Sequence, residues 1–253
     1  MPINLFESPE QRNILLDELE LGHAVQANQH LIVRGDEGLL LDPGGPKTFR
    51  HIYPSMLAQL KRAKLTHIFM SHQDPDIVAA VNPWLTTTNA RAYMSALWVR
   101  FVPHFGLDKL MAESCVTIPD EGGILRLAGS DLLVLPAHFL HSPGNFHIYD
   151  PVSKILYSGD LGASLGQDYV WVEDFDKHLA YMTGFHRRYM SGTKATQRWA
   201  AMARQLDIEI IAPQHGSLFR GKAMCQRFID WIDGFECGVD LLPEYKLPTK
   251  HVG

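Results

Sequence analysis

Lys64–Ala80 reads KLTHIFMSHQDPDIVAA, and its two halves have opposite characters. Leu65 to Met70 is apolar and suits a strand buried on both faces. Ser71-His72-Gln73-Asp74-Pro75-Asp76 then sets one imidazole and two carboxylates within a few positions. Pro75 stands where a helix can begin, with Asp74 in position to cap it. The stretch is therefore either an acidic helix cap or one wall of a metal site at the end of a strand.

Working upstream, Thr48 to Arg62 places Phe49, Ile52, Tyr53, Met56, Leu57 and Leu60 at helical spacing. Before it, His30 to Arg34 and Gly38 to Asp42 are short apolar runs flanking Gly35-Asp36-Glu37-Gly38, the pattern of a hairpin. Asp42-Pro43-Gly44-Gly45 stops the second run. Downstream, a helix is expected from about Pro75 to Thr87 and a strand over Arg91 to Ser95, followed by a helical or irregular stretch to about Cys115. Further strands are expected over Gly123 to Leu127, Asp131 to Ala137, Asn145 to Tyr149 and Lys154 to Ser158. Phe175 to Gln205 reads as two helices broken near Ser191-Gly192. A buried strand over Ile208 to Ala212 and a helix from Lys222 to Gly234 complete the pattern. No linker or repeat divides residues 1–253, so one α/β domain is expected. Two sheets between helices, an αββα sandwich, suit this order of elements.

Composition narrows the function classes. A formal charge of −5, with both signs interspersed, leaves no nucleic-acid footprint. No run approaches a membrane span, and MPINLFESPEQRN lacks a signal pattern, which points to a cytoplasmic protein. Cys115, Cys225 and Cys237 are odd in number and widely spaced, as expected of reduced core thiols. Of thirteen histidines, His51, His178 and His186 fall on expected helix surfaces and His251 in the tail.

Four places share one form, a short apolar strand ending in a ligand-type residue and a tight turn. They are Met70-Ser71-His72 with Asp74 and Asp76, His138 to His141 before Ser142-Pro143-Gly144, Ser158-Gly159-Asp160, and Pro213-Gln214-His215-Gly216. Singly each is weak, because a histidine after a strand usually belongs to the core or a turn, and Asp in Ser-Gly-Asp is usually a turn residue. Their joint occurrence in this order is not explained so easily.

That order resembles the metallo-β-lactamase superfamily, whose metal ligands lie at strand ends in an αββα sandwich. His72-x-Asp74-x-Asp76 carries a carboxylate where most members have a second histidine, and this narrows the resemblance to the di-iron branch, the flavodiiron proteins. Leu140-His141-Ser142-Pro143, Tyr157-Ser158-Gly159-Asp160 and Ile211-Ala212-Pro213-Gln214-His215-Gly216 are similar as well, so the likeness extends from about Gly22 to Asp233. It implies that His72, Asp74 and His141 bind a first metal, that Asp160 bridges, and that Asp76 and His215 bind a second. The implied cofactor is a pair of iron ions with a bridging oxygen species, with zinc or manganese as alternatives. Oxygen ligands harden a site in favour of iron or manganese.

This sequence departs from the pattern twice. Asp74 is shorter than the usual Glu, and Ile77 stands where a second-metal histidine is expected. His138 and His147 are candidates to replace that histidine. Tyr181, His30 and Asn28 are candidates to surround the ligands, although a core role is the simpler reading of Tyr181. No flavin-binding flavodoxin domain is expected, so electrons would come from an external donor of rubredoxin or flavodoxin type. The implied function is binding of dioxygen or nitric oxide, with reduction or sensing as its outcome. A zinc-dependent hydrolase and a binding module without turnover are the alternatives. A homodimer is compatible with the family.

Overall fold

The computed structural model describes residues 2–16, 26–101 and 113–249. The stretch expected to be helical or irregular before Cys115 lies largely outside the described residues, as do Gly22 and His251.

The first sheet contains β1 (Ile3–Glu7), β2 (Gln11–Leu15), β3 (His30–Arg34), β4 (Glu37–Leu41), β5 (Lys64–Phe69), β6 (Arg91–Ser95) and β7 (Cys115–Ile118), side by side in that order. The second contains β8 (Gly123–Leu127), β9 (Ser130–Pro136), β10 (Phe146–Asp150), β11 (Ile155–Tyr157), β12 (Ile210–Ala212) and β13 (Phe219–Arg220), also as sequential neighbours. The expected hairpin is present: His30 pairs with Leu41 and Arg34 with Glu37 around a tight turn at Gly35-Asp36. Gly35 takes a φ of +56°, which a residue without Cβ adopts readily.

Among the described residues the helices are α1 (Pro46–Leu60), α2 (Pro75–Val78), α3 (Val81–Thr87), α4 (Phe175–Tyr189), α5 (Thr193–Ala203) and α6 (Lys222–Asp233), with a short 3₁₀ turn at Gly238–Leu241. The helix expected over Pro75 to Thr87 is divided into α2 and α3, and the N–H of Ala80 at the break is taken by the carbonyl of Gly44 at 3.0 Å.

Three apolar clusters separate four layers. Ile52, Met56, Val81 and Trp84 of the first helices pack on Leu31, Leu40 and Ile68 of the first sheet. Ile32, Leu39 and Phe69 meet Leu132, Phe146, Ile148 and Ile155 between the sheets. Met182, Trp199, Phe228 and Ile232 cover Tyr149, Leu156 and Ile211 on the far side. This is the expected αββα sandwich. The continuous burial of β3 and β12 follows from having a layer on each face. β5, expected to be buried on both faces, buries Leu65, Ile68 and Phe69 but leaves Thr66 and His67 half-buried.

The site depends on how the strands run. β5 lies parallel to both β4 and β6, and β11 lies parallel to β12, so their C-terminal ends share one edge of each sheet. The two sheets are joined at this edge, where the N–H of Phe146 donates to the carbonyl of Ser71 at 2.9 Å. Among the described residues no helix is long and apolar enough to cross a membrane.

Candidate metal centre

The loop after β5 is built to aim His72. The N–H of Ser71 donates to Oδ1 of buried Asp42 at 2.8 Å, and Ser71 Oγ lies 3.0 Å from Nδ1 of His72. Occupying Nδ1 leaves Nε2 to face inward, the usual means of orienting a ligating imidazole. Asp74 stands at the N-cap of α2, yet its side chain makes no capping bond. Its Oδ2 instead lies 3.7 Å from Nε2 of His72 and 3.3 Å from Nε2 of His141.

His141 sits in the turn between β9 and β10, following a cis Leu140–His141 peptide bond and Phe139 with a φ of +68°. The side-chain amide of Asn145 donates to the carbonyl of Leu140 and ties the turn to itself. Asp160 follows β11. Its turn is fixed by Ser158 Oγ donating to the carbonyl of Leu161 at 2.6 Å, and by Gln214 N–H donating to the carbonyl of Gly159 at 2.7 Å. His215 follows β12 and donates Nδ1–H to the carbonyl of Gln26 at 2.6 Å, so in the neutral ring the lone pair lies on Nε2.

These elements bring His72, Asp74, Asp76, His141, Asp160 and His215 together. Oδ2 of Asp160 is 2.9 Å from Nε2 of His141 and 3.8 Å from Nε2 of His72. Its other oxygen, Oδ1, is 3.5 Å from Nε2 of His215, which in turn is 3.3 Å from Oδ2 of Asp76. Asp160 thus faces two separate imidazole–carboxylate groups, one with each oxygen. One ligand atom each from His72, Asp74 and His141 fit within 4.8 Å of one another, the spacing of donors around a single ion. Oδ1 of Asp160 is buried and has no hydrogen-bond partner, an orphan acceptor of the kind a cation satisfies.

Charge within the cluster overrides burial. Burial alone would raise the Asp160 carboxyl, but His72, His141 and His215 hold it down at about 2. Asp74 is lowered for the same reason by His141 and His72. Burial alone would lower the imidazoles. Asp160 and Asp74 instead raise His141 to about 10, Asp76 and Asp160 raise His215 to about 9, and Asp160 with Asp74 raises His72. An entering cation would displace these protons.

The candidates around the ligands distribute differently. Asn28 donates its side-chain amide to the carbonyls of Pro213 and Gly216, both at 2.9 Å, and its backbone N–H to Gln214. It therefore holds the turn that carries His215. His30 lies beneath the same turn, 3.5 Å from the Pro213 carbonyl, with its ring against Tyr157. His138 turns to the carbonyl of Asp120 at 2.7 Å. His147 is fully buried and accepts the indole N–H of Trp199 on Nδ1 at 3.0 Å. Burial pushes its pKa down to about 3, and its Nε2 is buried without a hydrogen-bond partner among the described residues. Ile77 is fully buried in the apolar cluster under α2 and α3. Tyr181 packs on Tyr169 and His178 and is 37% exposed.

Among the described residues Tyr189 has its ring against the cluster, its centroid 5.8 Å from that of His141. It lies about two helical turns beyond Tyr181, on the same side of α4. That periodicity was the only sequence signal for it. His178 and His186, expected on helix surfaces, are both fully buried. Each uses a ring nitrogen to tie α4 to a neighbouring loop, at Tyr169 and Gly162 respectively. An amphipathic pattern counts histidine as polar, and nothing in it reveals that a loop hydroxyl or a loop N–H will supply the partner.

The model of the ODP family beta lactamases matches residues 25–216. The chain belongs to this family. The solved structure of the peroxy diiron species of the chemotaxis sensor ODP is 39% identical, with a TM-score of 0.85 over 95% of this chain and 97% of that one. The apo state of the chemotaxis sensor ODP from T. denticola gives 38% identity and a TM-score of 0.84 over the same shares. Diflavin flavoprotein A 1 of Synechocystis sp. is 28% identical over 228 residues, or 85% of this chain and 38% of that protein. This ODP-family chain therefore spans about two-fifths of the length of that curated relative.

Proposed function

We propose that this ODP-family chain holds two iron ions in the His72–Asp74–Asp76–His141–Asp160–His215 cluster and serves as a stand-alone, oxygen-binding sensor. The carrying observation is the division of Asp160, with Oδ2 toward His72 and His141 and Oδ1 toward His215. A carboxylate placed this way would be shared by two cations. His72, Asp74 and His141 would hold the first ion, and Asp76 and His215 the second. Three carboxylates beside three imidazoles make a hard donor set that suits iron or manganese better than zinc. Nothing in that set favours the zinc-hydrolase alternative.

When bound, two ferrous ions would supply the electrons and open positions that dioxygen requires. The protein's part is to hold the ligands. Ser71 and Gln26 fix the tautomers of His72 and His215. Gln73 donates its side-chain amide to Oδ1 of Asp74 at 2.9 Å, leaving Oδ2 for the cluster. The second group contains one imidazole, since Ile77 replaces the expected histidine. This would leave the second ion the more weakly held and the more open to a small ligand. The relatives described as a chemotaxis sensor and its peroxy diiron species support sensing as the output. A single domain, a cytoplasmic location and an external electron donor belong to the same reading. Nitric oxide as a second ligand and a homodimeric state are its extensions.

The test is to purify the protein without oxygen, count metals, and follow the near-UV and visible spectrum as air is admitted. Two irons per chain and a new absorption band are expected. Two zinc ions with no spectral change would overturn the proposal.

A further inference from the structure

A cavity of about 580 Å³ opens between residues 136–140 at the end of β9, one side of α5, and the 3₁₀ turn at Gly238–Leu241. Its size lies within the range typical of small-molecule sites, about 300–1,000 Å³. The walls are apolar, with Ala137, Leu140, Ala195, Trp199 and Met202 among them. Lys194 and Arg198 stand at the rim, one helical turn apart on α5, and both are exposed. Among the described residues neither has a carboxylate within salt-bridge distance; the ion pairs of this region fall on Arg204 and its partners instead. Asp240 on the opposite wall keeps its negative charge, with its Oδ2 held against the N–H of Thr193 at the start of α5, so the positive side of the cavity is the Lys194–Arg198 rim.

Two like charges at this spacing on a helix disfavour one another weakly, and an anion between them relieves this. An apolar body would fill the space against Trp199 and Leu140, and a single anionic group would sit between the two cations. We propose that this cavity binds a small amphipathic organic anion, with an apolar body and one carboxylate or sulfonate head. The site is distinct from the His–Asp cluster, and its binding does not depend on which metal that cluster holds. Its walls nevertheless lead there. Trp199 is hydrogen-bonded to His147, and Ser191 donates its N–H to the carbonyl of Phe139 at 3.2 Å, two residues before His141.

The experiment uses the full chain as purified, titrated with anilinonaphthalene sulfonate and followed by fluorescence, with decanoate and decanol as competitors. Decanoate should displace the dye, and decanol should do so about tenfold less effectively, the difference expected from one charge-assisted contact. Lys194→Glu and Arg198→Glu, both surface changes, should each weaken dye and decanoate by about tenfold. Ala195→Trp, which fills the cavity, should abolish both. Equal displacement by decanoate and decanol would overturn the proposal, as would failure of decanoate to displace the dye. Unchanged binding in both charge reversals would overturn it as well, and this arm holds even if Ala195→Trp does not fold.

Discussion

Nε2 of the buried His186 accepts the backbone N–H of Gly162 at 2.9 Å, while Nδ1 donates to the carbonyl of Met182 at 2.8 Å. Helix α4 thereby grips the turn two residues beyond Asp160. His186→Leu would keep most of the volume and strand the Gly162 N–H in the core. A loss of about 1–3 kcal/mol in denaturant unfolding is expected, together with weaker metal retention during dialysis against a chelator. Unchanged values for both would show that the contact does not position Asp160.

Burial pushes His30, His178 and His186 down to about 4 and His147 to about 3, and lowers His67 as well. The unfolded chain takes up these protons near 6.5, whereas the folded chain refuses them until near 4. Their contribution is therefore complete above about pH 6.5 and is lost as pH falls toward 4. The cluster histidines carry the opposite sign. His215 and His141, raised to about 9 and 10, stabilise the metal-free protein below pH 6.5, and that contribution disappears as pH rises through those values. Denaturation of metal-free protein across a buffer series should show both flanks. A flat profile between pH 6.5 and 4 would contradict the acid half.

Asp160→Asn removes the charge shared by His72, His141 and His215. Bound metal should fall from two ions per chain to at most one. In metal-free protein the His141 titration, otherwise near 10, should move down, as followed by NMR of the imidazole protons. Retention of two ions would remove Asp160 from its bridging role.

Arg34 and Asp150 form a buried ion pair at 2.8 Å toward the other end of these strands, where Asp150 Oδ2 also accepts from Asn13 at 3.0 Å and from Ser153 at 2.7 Å. Arg34→Met would leave that carboxylate buried without its counter-charge, at a cost of about 3–5 kcal/mol. The metal content of the folded fraction should not change. Loss of metal in proportion to stability would mean that the two ends of the sandwich are coupled.

Much of the architecture was legible because local pattern and burial agree. The hairpin of β3 and β4, the apolar run of β5 and the periodicity of α1, α4, α5 and α6 are found within a few residues of their expected bounds. The strands not anticipated are β1, β2, β7 and β13. β1 is half exposed and β13 is only two residues long, so neither carries a strong period. These strands are defined by their neighbours, as β2 is by its pairing with β3.

By itself the sequence determined which chemical groups stand at the ends of which strands, because a change from apolar run to polar turn is written locally. Tertiary structure decided where those groups point. Asp74 abandons the helix cap for His72 and His141, His138 turns away to Asp120, and Tyr189 rather than Tyr181 covers His141. These outcomes depend on the parallel register of β11 with β12 and of β5 with β4, which brings distant turns to one edge. Pairing between segments so far apart is set by the packing of whole layers, and no local pattern in the chain encodes it.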